Sequence, residues 1–350
     1  MVWKLLVALA LLAGACGDDE PSLPRAARVY ATVSKDAEVL VIDEASHDVL
    51  KKIPVGMGPA IIIKTPDHKK LFTANWGDKT VSIIDTRNDT AKTLQMPGRP
   101  YVIAMAPDGK NVYVGLDTVN EIALIDTSTD AIARSIKFSE LPASIIASPD
   151  NQTLYVATLG LGITNGGLVG VQIADGSKPW PSVTVGRSPA WITIARDGQK
   201  VYTLNFLSDT VSVVDIHSWK VTATVDTGVG SQGIIGNVTP DGKQLWVTNH
   251  GTNEVIAIDT ASNTVVKRIP LAARPVGVEF NADGSRVYIT DFGPDSVNEP
   301  VRASYLLTGI YDGTTPGQVR AFDTTSGAQV GPTVVTGPGA TSVVVVPADE

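Results

Sequence analysis

The chain has 350 residues, a formal net charge of −8 and a single cysteine. The acidic balance excludes a general nucleic-acid surface, which would be basic, and one cysteine excludes an intramolecular disulfide. The composition is apolar enough for a core and rich in glycine and proline, which suits short strands joined by many turns.

Residues 1–15 carry one lysine and then LLVALALLAGA, a signal-peptide pattern whose apolar run is too short to span a membrane. AGA directly before Cys16 resembles a bacterial lipoprotein cleavage site. Cys16 is therefore the candidate lipidation residue, and acyl chains on it would hold the mature protein at a membrane surface. The alternative is a plain signal peptide with an incidental cysteine. Residues 16–27 are polar, proline-containing and unpatterned, which predicts a lipidated N terminus and flexible tether. Residues 28–350 read as one domain.

Within that domain the stretch 186–228 shows the repeating unit. WITIA, KVYTL, TVSVVDI and KVTATVD are four apolar or alternating runs separated by turn residues, with Asp197-Gly198 at the first turn. Glycine accepts positive φ without steric cost, so the unit predicts a four-stranded antiparallel meander. Alone it would expose two apolar faces, so it needs neighbours.

An Asp lies five residues before an aromatic in six places: Asp67/Phe72, Asp108/Tyr113, Asp150/Tyr155, Asp197/Tyr202, Asp241/Trp246 and Asp283/Tyr288. Pro59, Pro100, Pro142, Pro189 and Pro275 lie eight residues before that Asp, and Gly233 takes the remaining place. A second Asp follows the aromatic by thirteen residues in Tyr30/Asp43, Phe72/Asp85, Tyr113/Asp126, Tyr202/Asp215 and Trp246/Asp259. Two repeats stretch that spacing, to nineteen residues from Tyr155 to Ala174 and to thirty-five from Tyr288 to Asp323. The first repeat lacks its first strand, and TSVVVVP at 341–347 is a first strand with nothing after it. Together they complete a seventh unit. The predicted fold is all-β: a seven-bladed β-propeller of four-stranded antiparallel blades, closed by pairing residues 341–346 with the N-terminal blade at about 28–58.

VYATVS, LFTANW, LWVTNH and VYITDF, each followed by an apolar strand ending in IDT or similar, resemble the YVTN-type β-propeller repeat. The resemblance covers about 28–347. It implies seven blades of roughly forty residues and bears on fold more than on function, because propellers host unrelated activities. Propellers similar to this family include quinoprotein dehydrogenase heavy chains and lactonases. The departures from the pattern lie at 159–167 and 293–316.

Both insertions fall between second and third strands, on the face that also carries the blade-to-blade connections, here called the top. Long loops often carry function. Residues 293–316 are long enough to lie across the channel mouth as a lid, with Tyr305, Leu306, Leu307, Ile310 and Tyr311 to pack it. Repeat alignment places Trp76, Phe206, His250 and Phe292 at one rim position, with Asp117 among their equivalents. Arg99 and Arg274 stand just before blade-starting prolines, and Arg187 is one residue further back. Guanidinium groups bind carboxylate or phosphate in pairs of hydrogen bonds, and aromatic faces supply apolar area. Arg99, Arg187, Arg274, Trp76, Phe206, His250 and Phe292 thus form a candidate ligand-binding set for a small anionic molecule or acidic peptide. Otherwise the arginines pair with Asp117, Glu140 and Asp291, and the rings are spacers between blades.

Asn75, Asn205, Asn249 and Asp291 recur at one strand end, where oxygen ligands could ring a cation. Such residues more commonly shape the turn, so no metal site is expected. The four histidines do not gather, and the sequence lacks a haem-attachment motif, a P-loop and a dinucleotide fingerprint, so no cofactor is expected. The expected function is a lipid-anchored, monomeric propeller of the cell envelope, facing periplasm or exterior. It would bind an anionic ligand or an envelope protein non-catalytically through its top face. The alternatives are an enzyme or electron-transfer-associated subunit acting on a small anionic substrate at the channel mouth, and a structural component joined through blade edges.

Overall fold

The computed structural model describes residues 25–138, 140–160, 164–298 and 313–349. The expected signal peptide, Cys16 and the expected lid residues 305–311 lie outside them. Among the described residues the strands form seven antiparallel sheets of four. Six sheets follow in chain order as blades 1 to 6, at 59–95, 100–137, 142–187, 189–226, 233–270 and 275–338. Blade 7 combines both ends of the chain. The last strand, Ala340–Val346, pairs with Arg28–Val33, and Glu38–Asp43 and Val49–Pro54 complete the sheet. The innermost strands contact one another in sequence around the ring, and Ala340–Val346 touches those of blades 6 and 1. The seam expected from the two chain ends is the seam observed.

The recurrent aspartates build the turns on the bottom face. Asp67, Asp108, Asp150, Asp197, Asp241 and Asp283 each accept the backbone N–H two residues on, at 2.8–3.2 Å. The next residue is left-handed in every case; His68 and Asn151 take the place that glycine fills elsewhere. At the second position Asp43, Asp126, Asp215, Asp259 and Asp323 accept the N–H three residues on, at 2.7–3.0 Å, across the turn into the fourth strand, and Asp85 accepts the N–H two residues on at 2.8 Å. Serine hydroxyls at Asp126, Asp215 and Asp323, and these backbone N–H groups at Asp43 and Asp259, are the main hydrogen bonds that hold these five carboxyls below their ordinary range. Thr86, Thr127, Thr260 and Thr324, next to the second Asp position, donate Oγ1 to a carbonyl of the neighbouring first turn and lock the two turns together.

That second turn has a left-handed residue in all seven blades: His47, Asp89, Asp130, Gly176, Trp219, Asn263 and Gly327. Six of these are residue types that tolerate the conformation. Trp219, with φ of 53°, is a bulky exception, at a cost of about 1–2 kcal/mol.

The second-strand aromatics Tyr30, Phe72, Tyr113, Tyr155, Tyr202, Trp246 and Tyr288 are all buried. They pack in apolar wedges, each shared by two adjacent blades. Full burial of such a side chain stabilises by about 2–3 kcal/mol, which is how blades unable to close alone become one ring. Tyr30 donates its hydroxyl to Asp89 at 2.7 Å and Tyr288 to Glu44 at 3.0 Å, each reaching a neighbouring blade.

Blade 3 differs from the sequence register. Gln172, not Ala174, pairs with Thr153 as Asp85 pairs with Lys70. The top loop is therefore shorter than the Asp spacing suggests, and the remaining residues lie on the bottom in a ten-residue loop, 173–182. Loop elaboration is not confined to the top. Asp175-Gly176 imitates the ordinary turn and hid this loop. At the N terminus, Arg25–Ala27 fall inside the segment read as tether. The Arg25 N–H donates to the Asp349 carboxylate, the Arg25 carbonyl accepts from the Asp349 N–H, and the guanidinium donates to the Thr86 carbonyl.

Candidate functional site

The structure distributes the seven candidate residues over three alternate blade junctions. At the junction of blades 1 and 2, the Arg99 guanidinium carbon lies over Trp76, 3.9 Å from the ring centroid. Its Nε and Nη2 donate to the Asp117 carboxylate at 2.6–3.0 Å. Asp117 is 4% exposed and Arg99 33%. Burial together with the Asp117 charge pushes the nearby Tyr101 hydroxyl up to about 12.

Gly77 and Gly98, next in the chain to Trp76 and Arg99, lie close to Met57 and Val119. A Cβ on Gly77 would sit 2.9 Å from the Met57 carbonyl, and one on Gly98 would sit 2.7 Å from Val119. Met57 is 62% exposed and Val119 41%. Met57 and Val119, both exposed, thus mark one strip of the rim together with half-exposed Trp76 and the ion-paired Arg99. Leu207 and Val229 are also exposed on top.

At the junction of blades 3 and 4, Arg187 is exposed and donates Nη2 to the Leu207 carbonyl at 2.6 Å. Phe206, bonded through its N–H to the Ser188 carbonyl, is buried. At the junction of blades 5 and 6, His250, Phe292 and Arg274 are all buried. His250 and Phe292 meet edge-on at 5.5 Å, and His250 Nδ1 is 3.2 Å from the Pro275 carbonyl. Burial, and then the nearby Arg274 charge, pull the imidazole down to about 4, so it is neutral at pH 7. Arg274 donates Nε to the Ser296 carbonyl at 2.6 Å, under the 3-10 turn Pro294–Asn298 that opens the long insertion. Phe206, His250 and Phe292 are buried, while Trp76 stays half-exposed. Of the expected acidic partners, Asp117 takes Arg99. Asp291 pairs with Arg320, which the sequence reading missed, through Nε at 2.9 Å and Nη2 at 2.7 Å.

The strand-end asparagines bridge to the third strand instead of bonding their own backbone. Asn75 donates Nδ2 to Thr80 and Ser82, and Asn205 to Thr210 and Ser212, at 2.8–3.1 Å. Arg320 occupies the register position of Ser82 and Ser212, so blade 6 replaces an Asn–Ser pair with Asp–Arg. Among the described residues, no three His, Cys, Asp or Glu side chains are grouped to hold a metal ion.

The central channel contains a cavity of about 270 Å³ lined by all seven inner strands. Its wall is mostly apolar, with Thr193, Ser342 and a charged lower rung as the polar exceptions. There Lys64 of blade 1 pairs with Glu279 of blade 6, and Asn237 of blade 5 donates to Glu279 at 2.6 Å. Trp191, also on the wall, donates Nε1 to the Gly236 carbonyl at 2.8 Å. Sequence reasoning missed this rung because each member sits in a different repeat.

The profile of the YNCE-like β-propeller family matches residues 108–286, just over half of the chain. The chain belongs to that family. It is 24% identical over 168 residues to Antigen Lp49 of Leptospira interrogans, a match covering 43% of this chain and 36% of the antigen. The chain therefore spans about a third of the length of that curated relative.

Three solved structures are similar. Kuenenia stuttgartiensis hydrazine synthase superposes with a TM-score of 0.64 at 22% identity, over 83% of this chain and 95% of that one. A functionally unknown protein from Desulfotomaculum acetoxidans gives 0.73 at 14%, over 91% and 99%. Dihydro-heme d1 dehydrogenase NirN in complex with DHE gives 0.65 at 15%, over 91% and 74%. At these identities the likeness shows the fold alone.

Proposed function

We propose that the chain is an exported, lipid-anchored binding module that holds a protein partner in the cell envelope, non-catalytically, on its top rim. The observation that carries this reading is the strip of Met57, Trp76, Arg99 and Val119. Met, Trp and Arg are the side chains enriched at interface centres. Arg99 is already fixed by Trp76 and Asp117, so docking against it loses little side-chain freedom. A small anion is a poorer fit, because Asp117 occupies one edge of Arg99 and Arg274 lies under Ser296. The partner surface expected is apolar, with an acidic or aromatic edge to meet Arg99.

The test is purification of tagged protein from membranes with cross-linking and mass spectrometry, comparing wild type with Met57→Asp/Val119→Asp. A partner recovered with wild type and lost with the variant supports the reading; identical recovery from both overturns it. For the anchor, Cys16→Ser should move the protein from the detergent to the aqueous phase and abolish fatty-acid labelling. Unchanged partitioning would remove lipidation from the proposal.

A second reading, an enzyme or electron-transfer-associated propeller, rests on the central cavity and on the likeness to hydrazine synthase and dihydro-heme d1 dehydrogenase. A thermal-shift screen of wild type against Lys64→Met, with haem and small carboxylates, checks it. A ligand that stabilises only the wild type favours the enzyme.

A further inference from the structure

The bottom face carries an aromatic surface that the top-rim reading does not use. Trp180 and Trp219 are tilted against each other with centroids 5.6 Å apart, and Trp219 continues onto Tyr155 at 6.0 Å. Trp180 is 41% exposed. It lies between Pro179 and Pro181 in the 173–182 loop that only blade 3 has elaborated. Proline fixes φ on both sides of it, so the ring is presented with little backbone freedom left to lose. The chain makes room for the pair, because a Cβ on Gly170 would lie 2.8 Å from Trp180. Trp219 holds the left-handed turn position filled in the other blades by Asp, Asn, Gly or His. A strained position kept by a bulky residue points to a use for its side chain.

We propose that Trp180 and Trp219 form a saccharide-binding platform that takes the apolar C–H face of a pyranose ring in an uncharged oligosaccharide. Aromatic faces are electron-rich and attract the weakly positive C–H groups of such a ring. The surroundings suit its hydroxyl rim. Asp175, Ser177, His217 and Ser218, exposed in the two turns, include both donors and acceptors. A proline-rich peptide fits less well, because it needs an outward N–H for its carbonyls, and the Trp219 Nε1 is given to the Pro181 carbonyl at 2.7 Å.

The experiment is isothermal titration calorimetry of the full chain with chitotetraose, cellotetraose, maltotetraose and decaproline. Saturable binding of at least one oligosaccharide is expected. Trp180→Ala should weaken it tenfold or more with the melting temperature unchanged, and Trp180→Phe should retain part of it. Trp219→Asn should also weaken binding, with a lower melting temperature because Trp219 packs on the Tyr155 cluster; Trp180→Ala, which leaves that packing in place, is the variant that separates a ligand role from a packing role. Arg99→Ala, in the top strip, should leave saccharide binding intact, so this proposal and the top-rim reading fail independently. Binding of none of the three sugars, binding of decaproline alone, or equal affinity of Trp180→Ala and wild type would overturn the proposal.

Discussion

The junctions of blades 1–2 and 5–6 carry the same three repeat positions and resolve them in opposite ways. In the first, Trp76, Arg99 and Asp117 form an accessible stack with the guanidinium a third exposed. In the second, His250, Arg274 and Phe292 are buried, with Arg274 beneath the insertion's 3-10 turn. Repeat position decides which side chains become neighbours. What decides exposure is the loop laid over them and the charge available to pair. The first junction is built to be approached, and the second to hold two blades together.

The largest test of that difference is beside the second junction. Arg320 and Asp291 are both under 10% exposed, and burial pushes the Asp291 carboxyl up against the pull of Arg320. Arg320→Ala would leave a buried carboxylate unpaired and is expected to cost about 3–5 kcal/mol in chemical denaturation. Asp291→Asn/Arg320→Ser rebuilds the Asn–Ser pair of blades 1 and 4 and should recover most of that loss. If the double variant is as unstable as Arg320→Ala, the equivalence of the two pairs is wrong.

His250 gives the next effect, as a dependence on pH. Its folded pKa of about 4 is below the ordinary 6.5, so the neutral ring is the form that the fold favours. The contribution is present above pH 6.5 and is lost as pH falls from 6.5 to about 4, as the unfolded chain takes up a proton that the folded one refuses. The expected loss is about 3 kcal/mol over that window. His250→Phe should flatten this part of a stability-versus-pH profile. The turn aspartates lose their contribution only below their ordinary value of 3.8, so the two limbs separate. An unchanged slope between pH 6.5 and 4 in His250→Phe would place the imidazole in a wetter site.

These contrasts also mark how far the sequence could be read. The seven blades and their seam were legible because turn chemistry is local: Asp197 and Gly198 announce the same turn wherever they stand. The rim positions were legible too, since repeat alignment put Trp76, Arg99 and Asp117 on one circle. Burial was not, because it depends on segments far apart in sequence. Arg274 is covered by Ser296, and Asp291 is neutralised by Arg320 beyond an insertion whose length concealed the register. The blade 3 loop was misplaced for a related reason, with Asp175-Gly176 imitating the turn that the repeat required. Trp219 gave a signal that was available and unused: a bulky aromatic at the position where the other blades carry small, polar or glycine residues.

Arg99 sharpens the comparison from the accessible side. Arg99→Ala removes the partner of a carboxylate that is 4% exposed, so a loss of about 1–3 kcal/mol is expected, smaller than for Arg320→Ala because water can reach the vacated edge. Arg99→Lys keeps the charge but not the planar stack or the paired hydrogen bonds, and should fall between wild type and Arg99→Ala. A loss from Arg99→Ala equal to that of Arg320→Ala would make the first junction as closed as the second.

The smallest stability effect belongs to the residues that should matter most for binding. Met57 and Val119 are exposed and rest against glycines, so Met57→Asp and Val119→Asp should each change stability by no more than about 0.5 kcal/mol. The same changes set a charge at the centre of the proposed contact, where an unpaired charge is costly to desolvate. Partner recovery should therefore collapse while the melting temperature holds. If both fall together, the strip is part of the packing between blades 1 and 2, and the two junctions differ only in degree.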